Sequence, residues 1–190
     1  MQLRERKRAY EILQKYMVGE RYLQHSLAVE AIMKGLAEKL CPEEVEFWGI
    51  CGLLHDLDEE HCDWQNHPEV HGRTSVEILK KEGIDDQILF DAICAHNPDT
   101  GVIAGTTLQY AILAADPMSG FIKAIAQIYP DKKLASVKHK SVSKRFKEAR
   151  FAAGANREYM MAIEKTGITY DEFIDIALDS MNTIAEQLGL

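Results

Sequence analysis

The run Gly52-Leu53-Leu54-His55-Asp56-Leu57-Asp58-Glu59-Glu60-His61 decides how the chain folds, because an apolar segment ends there in an abrupt series of ionisable side chains. Upstream, residues 45–54 (VEFWGICGLL) are largely apolar, and no run in the chain alternates in the manner of a half-buried strand. Pro42, with Glu43 and Glu44 after it, has the form of a helix start, with acids near the positive end of the dipole. A buried helix over 43–55 is therefore expected, delivering His55 and Asp56 side by side where it leaves the core. Adjacent helical residues point about 100° apart, so two such side chains reach one point most easily at a helix end.

Helical spacing recurs on both sides of this segment. Helices are expected at roughly 3–18, 22–40, 70–82, 85–96, 106–116, 118–129, 141–151, 155–166 and 170–188. In the last, Phe173, Ile174, Ala177, Leu178, Met181, Ile184, Ala185 and Leu188 form one apolar stripe suited to packing on a core. Gly83, Gly101 and Gly167 stand where helices should stop. With 190 residues and neither repeats nor a low-complexity linker, the expectation is a single all-α domain.

Composition excludes several classes. Apolar residues at 46% and charged residues at 27% are ordinary for a globular protein. No apolar run approaches the about 18 residues of a membrane span, and MQLRERKRAY is not followed by the apolar stretch of a secretory signal. Cys41, Cys51, Cys62 and Cys94 contain no C-x-x-C pair and read as reduced thiols, so a cytoplasmic protein is expected. The net charge of −8 hides an asymmetry: between Lys132 and Arg150, eight Lys and Arg face only Glu148. An acidic chain with one basic segment is not expected to coat a nucleic-acid polymer, but the segment could hold a small polyanion.

Six of the seven histidines fall between positions 25 and 96. His25 shares a helical face with Val29, Ile32, Leu36 and Leu40, and His55 follows Trp48, Cys51 and Gly52 on another. His96 lies on the face of Leu89, Ala92 and Ile93, and Asp116 follows Ile112 and Leu113. A lone histidine on an apolar face is ordinarily a core residue with its hydrogen bonds satisfied, and a lone aspartate before a proline is ordinarily a cap or turn residue. Four inward polar positions on four helices need a common explanation, since an unpaired buried carboxylate costs several kcal/mol. A divalent cation removes that cost, and imidazole with carboxylate suits iron, manganese, cobalt, nickel or zinc. At a helix end Asp56 could bridge two such ions.

These residues resemble the HD superfamily of metal-dependent phosphohydrolases, whose pattern is an early histidine, a His-Asp doublet ending an apolar helix, and a late aspartate. Here those match His25, His55-Asp56 and Asp116. The stretch EVHGRTSVEILKKEGIDDQILFDAICAHNPDTG is similar to one in bacterial diadenosine-tetraphosphate-hydrolysing HD proteins, which implies His71 and His96 as further ligands, with His67 the competitor for the His71 position. AADPMSGFI, the lysine-rich segment and FAAGANRE resemble small prokaryotic HD proteins of unsettled substrate.

The resemblance implies an all-helical HD bundle, with a core over about 22–130 and helices of about 140–190 packed on it. It also implies one or two divalent metal ions: His25, His55, Asp56 and Asp116 would hold one, and Asp56 would bridge to a second held by His71 and His96. The implied activity is hydrolysis of a phosphate ester or anhydride in a small phosphorylated metabolite or nucleotide. Glu59 stands where many tetraphosphate-hydrolysing relatives carry lysine, a departure shared with HD nucleotidases and guanosine-polyphosphate hydrolases. Glu59 or Glu60 could act as acid or base beside Asp56, or the acidic run could simply face water. Arg73, Lys144 and Arg145 are the candidate phosphate-binding cations, with Lys147, Asn156 and Arg157 behind them. The same ligand order is compatible with an HD-fold di-iron oxygenase or a non-catalytic nucleotide sensor.

Overall fold

Leu27, Ala28, Val29, Ile32, Met33, Leu36 and Ala37 are buried along one 21-residue helix, and the rest of the chain is arranged around it. In the computed structural model, which describes residues 2–190, the α-helices are α1 (Arg6–Tyr16), α2 (Glu20–Leu40), α3 (Val45–Leu54), α4 (Arg73–Lys81), α5 (Gln87–His96), α6 (Thr107–Gln127), α7 (His139–Phe146), α8 (Arg157–Met161) and α9 (Tyr170–Asn182). No strand occurs among the described residues. Helix α2 packs on α3, α6 and α9, while α5 packs along α6 and α1 covers α3. One hydrophobic cluster runs from Leu3 to Leu188 and takes in every α-helix. No helix of the described residues is long and apolar enough to cross a membrane.

The all-round apolar sequence of α3 follows from its position, since Phe47 through Leu54 are all buried. Gly52 permits its closest approach to α2: a Cβ there would sit 2.9 Å from the Val29 carbonyl oxygen and 3.0 Å from the Glu30 nitrogen. Because α2 and α3 meet this closely, the turn leaving α3 is held against the middle of the bundle.

Several expected boundaries need correction. The segments 106–116 and 118–129 form a single helix, α6, with Pro117 inside it. Proline removes one backbone hydrogen bond and costs about 3 kcal/mol in a helix interior. Here the apolar face continues in phase across it: Ile112, Leu113, Met118, Phe121, Ile122 and Ile125 are all buried. Each such side chain gains about 1.5–3 kcal/mol on burial, which outweighs the break. The start of α6 is fixed by a capping box in which Gln109 N donates to Thr106 Oγ1 at 3.3 Å and Thr106 N donates to Gln109 Oε1 at 3.1 Å. Downstream, α7 stops at Phe146 rather than continuing to 151, and α8 tightens into a 3-10 turn over Ala162–Thr166 that ends at Gly167.

Candidate metal centre

Four helices and one turn carry ionisable side chains to a common point. His25 lies in the second turn of α2, His96 is the last residue of α5, and Asp116 is in the middle of α6. His55 continues the helical path one residue past α3, with φ −60° and ψ −39°. The chain then winds through tight turns, with Leu57 N donating to Leu54 O at 3.3 Å and Glu59 N to Asp56 O at 3.0 Å. His71 comes from the turn before α4 and precedes Gly72. Gly72 has φ +87°, and a Cβ there would crowd His96 Cε1 and the Ile93 carbonyl at 3.3 Å, so glycine lets the His71 and His96 segments approach.

Asp56 is the hub. Its Oδ1 lies 3.1 Å from His55 Nε2, 3.2 Å from His71 Nε2 and 3.4 Å from His96 Nε2, while its Oδ2 lies 3.2 Å from His25 Nε2. His25 Nε2 is also 3.1 Å from Asp116 Oδ1. Two overlapping groups result, His25-His55-Asp56-Asp116 and Asp56-His71-His96, and within each the ligand atoms fall within 4.8 Å of one another.

The outer nitrogens of the four imidazoles are occupied. His55 Nδ1 is 2.8 Å from the Gly52 carbonyl, and His96 Nδ1 bonds the Ile93 carbonyl. His71 Nδ1 is 2.9 Å from Asp58 Oδ1. Ser119 Oγ donates to the Asp116 carbonyl at 2.9 Å, so it accepts from His25 Nδ1 at 3.0 Å. A carbonyl or carboxylate partner fixes Nδ1 as the protonated nitrogen of a neutral imidazole and leaves the Nε2 lone pair turned inward. His55 Nε2 and Asp56 Oδ1 are buried without a hydrogen-bond partner of acceptable geometry. Four inward imidazole nitrogens and two carboxylates, with His55 Nε2 and Asp56 Oδ1 orphaned among them, fit a divalent cation.

The electrostatics point the same way. Burial presses His25 toward its neutral form, but hydrogen bonds to Asp116 and Asp56 and their charges raise it to about 9. Against the same penalty, the charge of Asp56 leads in pushing His55 up to about 10. Burial also lowers His71, but hydrogen bonds to Asp56 and Asp58, with their charges, push it up to about 11. Burial works against ionisation of Asp56 and Asp116, yet the surrounding histidines hold both below the usual carboxylate range. The carboxylates therefore demand positive charge, which protons or a cation can supply.

Asp58 belongs to an acidic run that could face water, but it does not face water. It is fully buried, and besides His71 Nδ1 it accepts from Gly72 N at 2.7 Å and Ser75 N at 3.1 Å. It thus orients an imidazole and anchors the start of α4 with one side chain. Glu59 is half-buried, and burial together with the charge of Asp56 raises its pKa. The Glu60 carboxylate is exposed and accepts from Val18 N at 2.8 Å and Gly19 N at 3.0 Å, at the start of α2.

The candidate cations lie apart from this centre. Arg73 donates to the Thr100 carbonyl, with Nε at 3.1 Å. Arg145 pairs with Glu148 at 2.5 Å and rests against the Phe151 ring, and Lys144 is exposed on α7. Above the imidazoles opens a cavity of about 570 Å³, lined in part by His25, His71, His96, Asp116, Trp64, Asn97, Asn156 and Tyr159. Trp64 and Tyr159 are drawn to it by tertiary folding alone, and the sequence reading missed Ser119, which lies on Asp116's face of α6 and meets His25 on α2.

Converging imidazoles and carboxylates at the middle of a helical bundle are the donor set of a divalent-metal site. The HD domain model matches residues 22–116, half of the chain, and the chain belongs to the HD domain family of metal-dependent phosphohydrolases. All six candidate ligands, His25 through Asp116, fall within the matched residues. HD domains bind divalent metals. No solved structure matches the chain significantly.

Proposed function

We propose that this protein hydrolyses a phosphate ester or anhydride in a small phosphorylated metabolite or nucleotide. The observation that carries this reading is the pair of ligand groups sharing Asp56 at the base of an open cavity. His25, His55, Asp56 and Asp116 would hold one divalent cation, and Asp56, His71 and His96 a second. When bound, such ions supply Lewis acidity to neutralise phosphate oxygens and to activate a water.

The chain's own groups orient and move protons around that chemistry. Asp58, Ser119 and the Gly52 and Ile93 carbonyls keep the imidazole Nε2 atoms turned inward. Glu59, whose carboxyl holds its proton to a higher pH than usual, is suited to exchange a proton near Asp56. Glu60 is tied to the backbone of Val18 and Gly19, which leaves the proton role to Glu59. As the ester P–O bond breaks and the water oxygen bonds to phosphorus, the water's proton is passed on to the leaving oxygen, giving an alcohol and a phosphate.

The test is a phosphate-release screen over nucleotides and sugar phosphates with manganese, iron, cobalt, nickel and zinc, run beside metal analysis and oxygen uptake. Metal-dependent phosphate release is expected. Two tightly held irons with oxygen consumption and no phosphate release would replace the hydrolase with the oxygenase. Saturable nucleotide binding with no turnover on any metal would replace it with the sensor.

A further inference from the structure

The cavity over the metal centre is completed by chain outside the residues that match the HD domain. Trp64 comes from within them, but Tyr159, Ala152, Gly154, Ala155 and Asn156 come from the segment that leads into α8. This wall is firmly built. The Arg157 guanidinium donates to the carbonyls of Ala155 at 2.6 Å, Ala152 at 2.7 Å and Phe151 at 2.5 Å, and lies 4.5 Å from the centre of the Phe121 ring. Ala152 is held at φ +43°, a left-handed conformation that a non-glycine residue adopts only when its surroundings impose it. Asn156 Oδ1 accepts from Glu158 N at 2.9 Å and Tyr159 N at 3.2 Å, which fixes the Asn156 amide and the Tyr159 backbone together.

The lining has an unusual charge balance for a phosphate site. Among the described residues no lysine or arginine lines it, and its only basic groups are His25, His71 and His96. Three basic side chains on the flanking elements are engaged elsewhere. Arg73 bonds the Thr100 carbonyl, Lys123 donates to Gln24 Oε1 at 2.8 Å, and Arg157 is taken up by the wall it supports. Apart from Asp116 of the metal centre and Pro117, the rest of the surface is aromatic (Trp64, Tyr159), small (Gly120, Ala152, Gly154, Ala155) or amide. Each further phosphate in a chain adds negative charge that has to be met by cations or several N–H donors, and this cavity supplies neither away from the metal centre. Aromatic side chains instead favour a flat, uncharged body, and about 570 Å³ is ample for one.

We infer that the cavity selects a phosphate monoester carrying a planar, uncharged aromatic body, in chemical class a nucleoside 5′-monophosphate, over a polyphosphate chain. Trp64 and Tyr159 carry the body, and the single phosphate sits at the metal centre. The inference rests on the phosphohydrolase reading and deepens it by naming the substrate class.

The experiment compares kcat/KM of the metal-loaded protein for adenosine 5′-monophosphate, adenosine 5′-triphosphate and glycerol 3-phosphate. The monophosphate is expected to exceed the triphosphate by tenfold or more. In Trp64→Ala and in Tyr159→Ala, the preference for adenosine monophosphate over glycerol phosphate should fall about 5- to 100-fold, the range set by loss of one base-stacking contact. Trp64→Phe should restore most of it, and metal content measured on each variant checks the fold. A triphosphate used as well as the monophosphate, or an equal loss on both monoesters in the alanine variants, overturns the inference while leaving the phosphohydrolase reading intact. If no ester is hydrolysed, that reading fails and binding decides. Trp64 is the exposed indole of two, Trp48 being buried, so its fluorescence reports the cavity directly. Saturable quenching by adenosine monophosphate at lower concentration than by the triphosphate sustains the assignment of ligand class, and the reverse order or no quenching removes it.

Discussion

Replacing Asp58 by Asn changes one oxygen and one charge in a fully buried carboxylate, and the structure specifies what that does. The remaining amide oxygen can still accept from Gly72 N and Ser75 N, which in the native protein bond Oδ2 at 2.7 and 3.1 Å. The new amide nitrogen then faces His71 Nδ1, which bonds Oδ1 at 2.9 Å. Two donors cannot share that contact, so His71 must rotate away or move its proton to Nε2, the atom that faces Asp56. Either response removes a ligand lone pair from the Asp56-His71-His96 group and spares the His25-His55-Asp56-Asp116 group. Loss of a charge-assisted hydrogen bond costs about 1.5–3 kcal/mol, and loss of an outer partner of a ligating histidine lowers metal affinity about 10- to 100-fold. Titration of the metal-free protein against a chromophoric chelator should show one tight site unchanged and one weakened by that factor. Thermal unfolding should show a cooperative variant with reduced Tm. Two sites of native affinity in Asp58→Asn would refute the orienting role of Asp58.

Other perturbations follow from the same contacts. His25, His55 and His71 are raised to about 9, 10 and 11 by the carboxylates they face, so a cation must displace protons to reach their nitrogens. Cation affinity should therefore rise with pH through that range, and calorimetry near pH 7.5 should give a heat that varies with the ionisation enthalpy of the buffer; an invariant heat would contradict the assignment. Gly72→Ala places a Cβ 3.3 Å from His96 Cε1 in a left-handed conformation, and is expected to cost about 1–2 kcal/mol by denaturant titration and to weaken the His71-His96 metal position. His139 joins α7 to α9 through Asp175 at 2.7 Å and Asp171 at 3.3 Å, and hydrogen bonding to Asp175 leads in raising its pKa above 6.5. Its contribution is complete below pH 6.5 and is lost as pH rises through the raised value. Being largely exposed, the contact contributes at most about 1 kcal/mol, so the Tm advantage over His139→Asn should be small at pH 5.5 and shrink as pH rises.

The parts of this architecture that were legible in the sequence depend on helical periodicity. His25, His55 and His96 can be placed inward because each shares a helical face with apolar residues at helical spacing, on α2, in line with α3 and on α5. At Pro117 the cost of the proline is visible in sequence, whereas the burial of Met118, Phe121 and Ile125 that outweighs it is tertiary. Asp58, Glu59 and Glu60 look alike as an acidic run, yet one is buried under α4, one is half-buried and one is exposed at the start of α2. Composition does not distinguish them, because their environments are supplied by Gly72, Ser75 and Gly19, which lie far away in sequence. The cations behaved similarly. Arg73 lies two residues from His71, but its guanidinium is directed to the Thr100 carbonyl, a partner 27 positions away.

Metal content of Asp56→Ala and His55→Ala tests the central claim most directly, since Asp56 belongs to both ligand groups and His55 to one. Elemental analysis after loading with manganese or iron should find two equivalents in the native protein, one in His55→Ala and none in Asp56→Ala, with phosphate release abolished in both variants. Native metal content and turnover in Asp56→Ala would contradict a centre built around that carboxylate.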